Sequence, residues 1–240
     1  MSTPAPPTVV LVHGAFADAS SFRTLIPELL DSGLPVVAPA VPNRSLNGDA
    51  AYVASVVRQI EGDVVLVGHS YGGAVITVAG VEENVRALVY LAGYALEQGE
   101  SLGELQGGFP DSLLASALVQ TTYPQPDGST GTDVSVAPER VHEVFAQDVD
   151  PEITRVLAVS QRPLAAAAFS EPAGAAAWHS TPSWGVVSSS DHTINPDVER
   201  FGYQRAGATV VEIDSSHLVM LSHPKETADV IREAIRATAR

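Results

Sequence analysis

Short β-branched runs punctuate this chain: Val9 to His13 (VVLVH), Pro35 to Pro39 (PVVAP), Val64 to Gly68 (VVLVG), Ala87 to Ala92 (ALVYLA), Trp184 to Ser189 (WGVVSS) and Thr209 to Ile213 (TVVEI). Each reads as apolar on both faces, the pattern of a strand covered on two sides by helices. Between most of them the apolar positions fall into helical spacing. A helix is predicted over Ser20 to Leu30, opening at its serines and stopping before Gly33. A second runs from Asp49 to Ile60 and stops at Gly62, and Pro224 to Thr238 closes the chain. Strand and helix alternate, which predicts a doubly wound, mainly parallel α/β sheet of about six strands.

The rhythm breaks between Glu97 and Thr181. No core strand is predicted there, only helices over Asp111 to Val119 and Pro138 to Gln147 and a loop rich in Gly, Ser, Thr and Pro from Thr121 to Asp133. The alanine-rich stretch Leu164 to Trp178 fits a helix or a linker equally well. The expected organisation is a core made of residues 1–96 and 182–240, interrupted by a helical cap at 97–181. With 240 residues, 45% of them hydrophobic, the chain can build one sizeable core.

Charge narrows the partners. Thirteen basic against twenty-eight acidic residues give a net charge of −15, which repels nucleic acid and anionic membranes and favours a neutral small molecule. No apolar run approaches the roughly 18 to 20 residues of a spanning helix. Met1 to Pro7 has neither a basic start nor an apolar stretch, so a cytoplasmic location is expected. The absence of cysteine excludes disulfides, thiolate catalysis and cysteine metal sites. No cofactor or metal is expected, and monomer and homodimer stay equally open.

Val64 to Val67 runs directly into Gly68-His69-Ser70-Tyr71-Gly72-Gly73, and the helix-compatible Ala74 to Ala79 follows. Strand, sharp turn and helix in that order are what a G-x-S-x-G nucleophile elbow requires, with glycines where side chains would collide with a neighbouring strand and helix. Serine at its ordinary pKa is a poor nucleophile. It needs a histidine base and an orienting carboxylate, in chain order Ser, acid, His. Asp191 lies just beyond the run ending at Ser189, and His217 follows the run ending at Ile213, so both belong at strand ends on one rim of the sheet. Asp214 and Asp197 are the rival acids; the first is expected to bond within its own loop and the second to begin a helix. His13 and His69 read as structural residues near the site.

An oxyanion hole takes one backbone N–H from the residue after the nucleophile, Tyr71, and one from the loop after the first strand, where Ala15 is the candidate. Phe16 and Leu218 are expected to line the substrate pocket, with Leu113, Leu118 and Phe169 as candidates from the cap.

VLVHGAF at Val10 to Phe16, the GHSYGG elbow, SSDHTINP at Ser189 to Pro196 and DSSHLVMLSHP at Asp214 to Pro224 resemble the small α/β-hydrolases related to plant methylesterases and hydroxynitrile lyases. The resemblance covers roughly Val9 to Gly93 and Pro182 to Thr238. It implies a Ser70, Asp191 and His217 triad, with Ala15 and Tyr71 as oxyanion donors. Hydroxynitrile lyases of this group resemble one another in a threonine after the first-strand histidine and a lysine after the catalytic one; here stand Gly14 and Leu218. The departures favour hydrolysis of small to medium, mostly apolar esters through an acyl-enzyme. A lyase or cofactor-independent oxygenase on the same fold, or a weakly catalytic ligand receptor, are the competing functions.

Overall fold

The computed structural model describes residues 5–239; Met1 to Pro4, part of the stretch read above as lacking a leader, and Arg240 lie outside the described residues. In chain order, β1 (Thr8–Val12) leads through a 3-10 turn to α1 (Leu25–Leu30), β2 (Val36–Val37), α2 (Leu46–Arg58), β3 (Val64–His69), α3 (Tyr71–Ala79) and β4 (Val85–Leu91). The chain then leaves the sheet through α4 (Leu102–Gly107), β5 (Leu118–Pro124), β6 (Thr130–Val136), α5 (Val141–Phe145), α6 (Pro151–Val159), β7 (Leu164–Ala165) and α7 (Ala166–Ser170). It returns with β8 (Ser183–Ser188), α8 (Pro196–Arg205), β9 (Thr209–Ile213), α9 (Val219–Ser222) and α10 (Pro224–Thr238).

Six parallel strands form the main sheet in the order β2-β1-β3-β4-β8-β9. Successive side chains of β1 and β3 go to opposite faces. Val10, Val12 and Leu66 pack with Val53 and Val57 of α2 and Ile76 of α3, whereas Val9, Leu11, Val65 and Val67 pack with Leu25 of α1 and Ile231 of α10. These side chains are fully buried, each contributing roughly 1.5 to 3 kcal/mol by leaving water. From β1 the chain steps outward to β2 and then back past β1 to β3. The order therefore reverses between β1 and β3, opening a crevice at their carboxyl ends. Both candidate oxyanion donors and Ser70 follow these two strands.

Several elements differ from expectation. The segment expected to form a helical cap is not purely helical: β5, β6 and β7 form a three-stranded antiparallel sheet, with β5 and β6 paired from Leu118↔Val136 to Pro124↔Thr130. The stretch expected to be a loop at Thr121 to Asp133 is mostly this hairpin. Its turn at Asp127-Gly128 is flanked by Val, Thr and Tyr residues, whose branched or flat side chains suit a pleated surface. The helix expected over Asp111 to Val119 shrinks to one 3-10 turn at Leu113–Ser116 before β5 begins. Leu164 to Trp178 divides into β7, α7 and a 3-10 turn at Ala177–His179.

In the core, the first helix is split into a 3-10 turn at Ala19–Phe22, capped by Asp18, and α1. The second begins at Leu46, because Ser45 rather than Asp49 caps it by accepting from Gly48 N–H. Nor is β9 apolar on both faces. It is the edge strand, with Val210 42% exposed and Glu212 paired to Arg200 of α8. No helix among the described residues is long and apolar enough to cross a membrane.

Candidate active site

Ser70 sits where β3 gives way to α3, with φ 55° and ψ −122°. A non-glycine residue pays for such a backbone in strain, and here close packing imposes it. A Cβ on Gly68 would stand 2.4 Å from the Gly72 carbonyl oxygen, and one on Gly72 would stand 2.2 Å from that of Val12. The helix thus approaches the strands more closely than any side chain allows, and the chain must turn sharply at Ser70.

Asp191 and His217 meet beyond the ends of β8 and β9. Asp191 Oδ1 accepts the N–H groups of Thr193 (2.6 Å) and Ile194 (3.1 Å), while Oδ2 lies 2.6 Å from His217 Nδ1. Both side chains are shut off from solvent. A carboxylate can only accept here, so Nδ1 carries the proton and Nε2 presents a lone pair. Nε2 is buried and has no hydrogen-bond partner among the described residues. Asp191 is thereby held at both oxygens, and the imidazole is oriented with one nitrogen free to take a proton.

The loop bearing His217 is pinned from three directions. Ser215 Oγ donates to Ser188 Oγ (3.1 Å), Ser216 N–H donates to Asp148 Oδ2 (2.9 Å), and the Ser216 hydroxyl also bonds to the Asp148 carboxylate. From the elbow, His69 Nε2 lies 2.9 Å from the His217 carbonyl oxygen and must be the donor. Burial and then the neighbouring His217 hold the His69 imidazole well below the usual histidine range, which keeps it neutral. Its ring lies 4.5 Å from that of His217, and Phe145 flanks His217 at 4.9 Å.

The loop after β1 is held by His13. Its Nε2 accepts Val41 N–H (3.0 Å), so Nδ1 carries the proton and donates to the Gly14 carbonyl (2.9 Å). Burial lowers the His13 pKa, consistent with that neutral form. Phe16 adopts φ 64°, and its N–H donates to the Arg162 carbonyl (2.9 Å). Ala15 N–H, by contrast, has no acceptor among the described residues. Tyr71 opens α3, where the first-turn N–H groups lack helical acceptors and carry the positive end of the helix dipole. Its hydroxyl donates to Asp49 Oδ2 (2.8 Å), and burial raises the pKa of both side chains. This buried link fastens the first turn of α3 to α2.

A cavity of about 350 Å³ opens beside Ser70, lined by Ala15, Phe16, Tyr71, Tyr94, Leu114, Leu118, Val134, Leu164, Phe169 and Ile194, among others. No charged side chain lines it. Gln106 adds a polar group whose Oε1 accepts the Tyr94 hydroxyl (2.6 Å). Leu218, expected in the pocket, is absent from the lining; it is fully buried and faces a separate narrow recess with Phe16, Val136 and Phe145. Leu113 is 42% exposed, and its neighbour Leu114 lines the cavity instead. Arg44 is engaged with Asp133 (2.7 Å) and the Tyr123 ring, and the Arg162 side chain does not reach the cavity lining. Asp214 accepts from Ser190 Oγ (2.7 Å), so it bonds to the loop after β8 rather than to His217 or within its own loop. Asp197 lies in the first turn of α8 behind its cap Asn195. Among the described residues no three His, Cys, Asp or Glu side chains cluster as a metal site would require.

Residues 9–230 match the alpha/beta hydrolase family, and the chain belongs to it. It is similar to a probable hydrolase R7 of Phoma sp. (strain ATCC 20986 / MF5453), 28% identical over 250 residues that cover 95% of this chain and 97% of the relative. A carbendazim hydrolyzing esterase of Nocardioides sp. (strain SG-4G) is 36% identical over 107 residues, 39% of this chain and 44% of that protein. The fold is also that of the methylesterase MES16 from Arabidopsis, with a TM-score of 0.79 at 17% identity, covering 96% of this chain and 99% of the other. The plant methylesterase-like architecture expected from the sequence motifs is thus the architecture found.

Proposed function

We propose that this chain hydrolyses carboxylic esters of small to medium, mostly apolar molecules, with Ser70 as nucleophile, His217 as general base and Asp191 as the acid that orients it. The reading is carried by the buried Asp191–His217 pair, whose Nε2 has no partner of its own, at the strand-end rim where a serine stands in the strained elbow conformation. Nε2 takes the Ser70 proton as Oγ attacks the ester carbonyl. Asp191 stabilises the imidazolium, and the Ala15 and Tyr71 N–H groups receive the oxyanion. The imidazolium then protonates the departing alcohol. Water, deprotonated by His217, releases the carboxylic acid and restores Ser70.

Relatives named hydrolase, esterase and methylesterase support an ester as the bond broken. Two observations favour hydrolysis over cyanohydrin cleavage. A Cβ at position 14 would stand 2.7 Å from Ser70 Cβ, leaving no room for a threonine, and Leu218 faces away from the cavity where a lysine would be needed. The uncharged lining favours uncharged substrates.

A fluorophosphonate probe, followed by peptide mapping, is expected to label Ser70. Absence of label on that peptide would end the serine-hydrolase reading. Phe169→Ala, which deepens the cavity wall, is expected to raise the ratio of kcat/KM for long over short acyl chains by roughly tenfold, the scale of one or two methylene groups in an apolar pocket. A series of p-nitrophenyl esters of increasing acyl length measures it, and an unchanged ratio would place acyl selection elsewhere.

A further inference from the structure

A second carboxyl stands beside Asp191. Glu199, on α8, is fully buried and accepts from the backbone of Ser188, the residue whose carbonyl accepts the Asp191 N–H at 3.2 Å, so the two carboxyls are neighbours. Glu199 Oε2 accepts the Ser188 N–H at 3.0 Å; Oε1 is buried and meets no N–H or hydroxyl donor among the described residues. No cation pairs with Glu199, and the positive charge of Arg200 acts on it more weakly than burial and Asp191 do. Arg200, next in sequence, sends its guanidinium outward to Glu212 and Asp197. The Tyr94 hydroxyl is given to Gln106, and the Tyr203 hydroxyl oxygen accepts Gly93 N–H. His217 is bonded to Asp191.

Two neighbouring carboxyls buried away from water and without an ion-pair partner on Glu199 are not both ionised. The charge stays where it is better solvated by the protein. Asp191 accepts two backbone N–H groups and the His217 Nδ1–H, whereas Glu199 accepts one backbone N–H. A proton on Glu199 Oε1 also gives that orphaned oxygen its partner. We propose that Glu199 is a positioning residue held as a neutral carboxylic acid, whose O–H donates to Asp191, locks its orientation and moderates the pull of the carboxylate on His217. Burial, and next the charge of Asp191, push the Glu199 carboxyl well above the usual carboxylate range, in the direction this arrangement requires. The inference rests on Asp191 and His217 acting as acid and base, but the protonation of Glu199 can be read without any substrate.

The test compares melting temperatures of the wild type and Glu199→Gln across pH. Unfolded, Glu199 ionises near pH 4.5; folded, it keeps its proton, so wild-type stability is fully present below that pH and falls as pH rises towards the folded pKa. The neutral amide of E199Q has no such dependence. The advantage of E199Q over the wild type is therefore expected to grow between about pH 5 and about pH 8. An advantage that stays flat or shrinks over that range would mean an ionised Glu199 and overturn the proposal. For ester turnover, Glu199→Leu is expected to lower kcat by about 10- to 100-fold at nearly constant KM, the equivalent of one hydrogen bond to a charged group. It should also move the acid limb of the pH profile upward, because an unmoderated Asp191 raises the basicity of His217. E199Q keeps a donor and is expected to restore most of kcat with the limb in place. A limb that falls in E199Q, or an E199L enzyme with wild-type kcat and profile, would remove the positioning role. Should E199L not fold, the E199Q melting and pH profiles decide alone, and failure of Ser70 labelling would count against ester hydrolysis without touching the melting comparison.

Discussion

Ser70→Ala is expected to lower kcat for ester hydrolysis by about 10³- to 10⁶-fold, the range seen when the attacking member of a triad is removed. The loss should appear in kcat rather than KM, because the cavity that holds the substrate is built from other side chains. Folding should be little affected. The Ser70 side chain caps no helix N–H, and alanine inherits the same φ of 55° with no larger Cβ to place. Melting temperature measured alongside turnover therefore separates lost chemistry from lost structure. A variant retaining more than a few per cent of wild-type turnover, at a purity that excludes contaminating esterase, would assign the nucleophile elsewhere.

Asp191→Asn is expected to cost about 10⁴-fold in kcat at neutral pH, by a different route. The Thr193 and Ile194 N–H groups must meet an acceptor, so the amide oxygen keeps that position and the amide nitrogen is turned towards His217. An NH₂ group facing Nδ1 donates to it and drives the imidazole proton to Nε2. The base then offers Ser70 an N–H where it should offer a lone pair. Fluorophosphonate labelling of Ser70 should slow in parallel with ester turnover, since both need Oγ deprotonated. Asp214→Asn serves as the control, because Asp214 bonds to Ser190 and not to His217. A larger loss in D214N than in D191N would exchange their roles.

Much of the fold could be read from the sequence because the central strands of its main sheet are buried on both faces. Runs such as VVLVH and VVLVG have one physical solution, and their spacing with helical segments leaves few topologies. The proposed Ser70, Asp191 and His217 could be picked out for a related reason: each lies one to four residues beyond a strand of the main sheet, and parallel strands bring their carboxyl ends to one rim. The cap was harder. Its β5–β6 hairpin is half-exposed and threonine-rich, so it resembles a polar loop unless the Asp127-Gly128 turn between Val, Thr and Tyr residues is taken as the signal. Leu218 shows the limit of adjacency, since a residue next to the proposed base in sequence is turned away from the cavity. Glu199 and Asp148 were hidden more thoroughly. Each is an ordinary acidic residue in an ordinary helical or turn context, and its importance exists only in the contact it makes across the fold.

The Asp148 contact bears on how such enzymes can be altered. A cap is commonly pictured as an exchangeable filter laid over a self-sufficient catalytic floor. Here Asp148, from the segment inserted between β4 and β8, holds the backbone and hydroxyl of Ser216, the residue immediately before the proposed base. Transplanting the cap of a relative to change substrate range would also exchange the clamp on His217. Chimeras should therefore inherit turnover along with selectivity, and a graft that carries an aspartate to this position retains a support that other grafts lose.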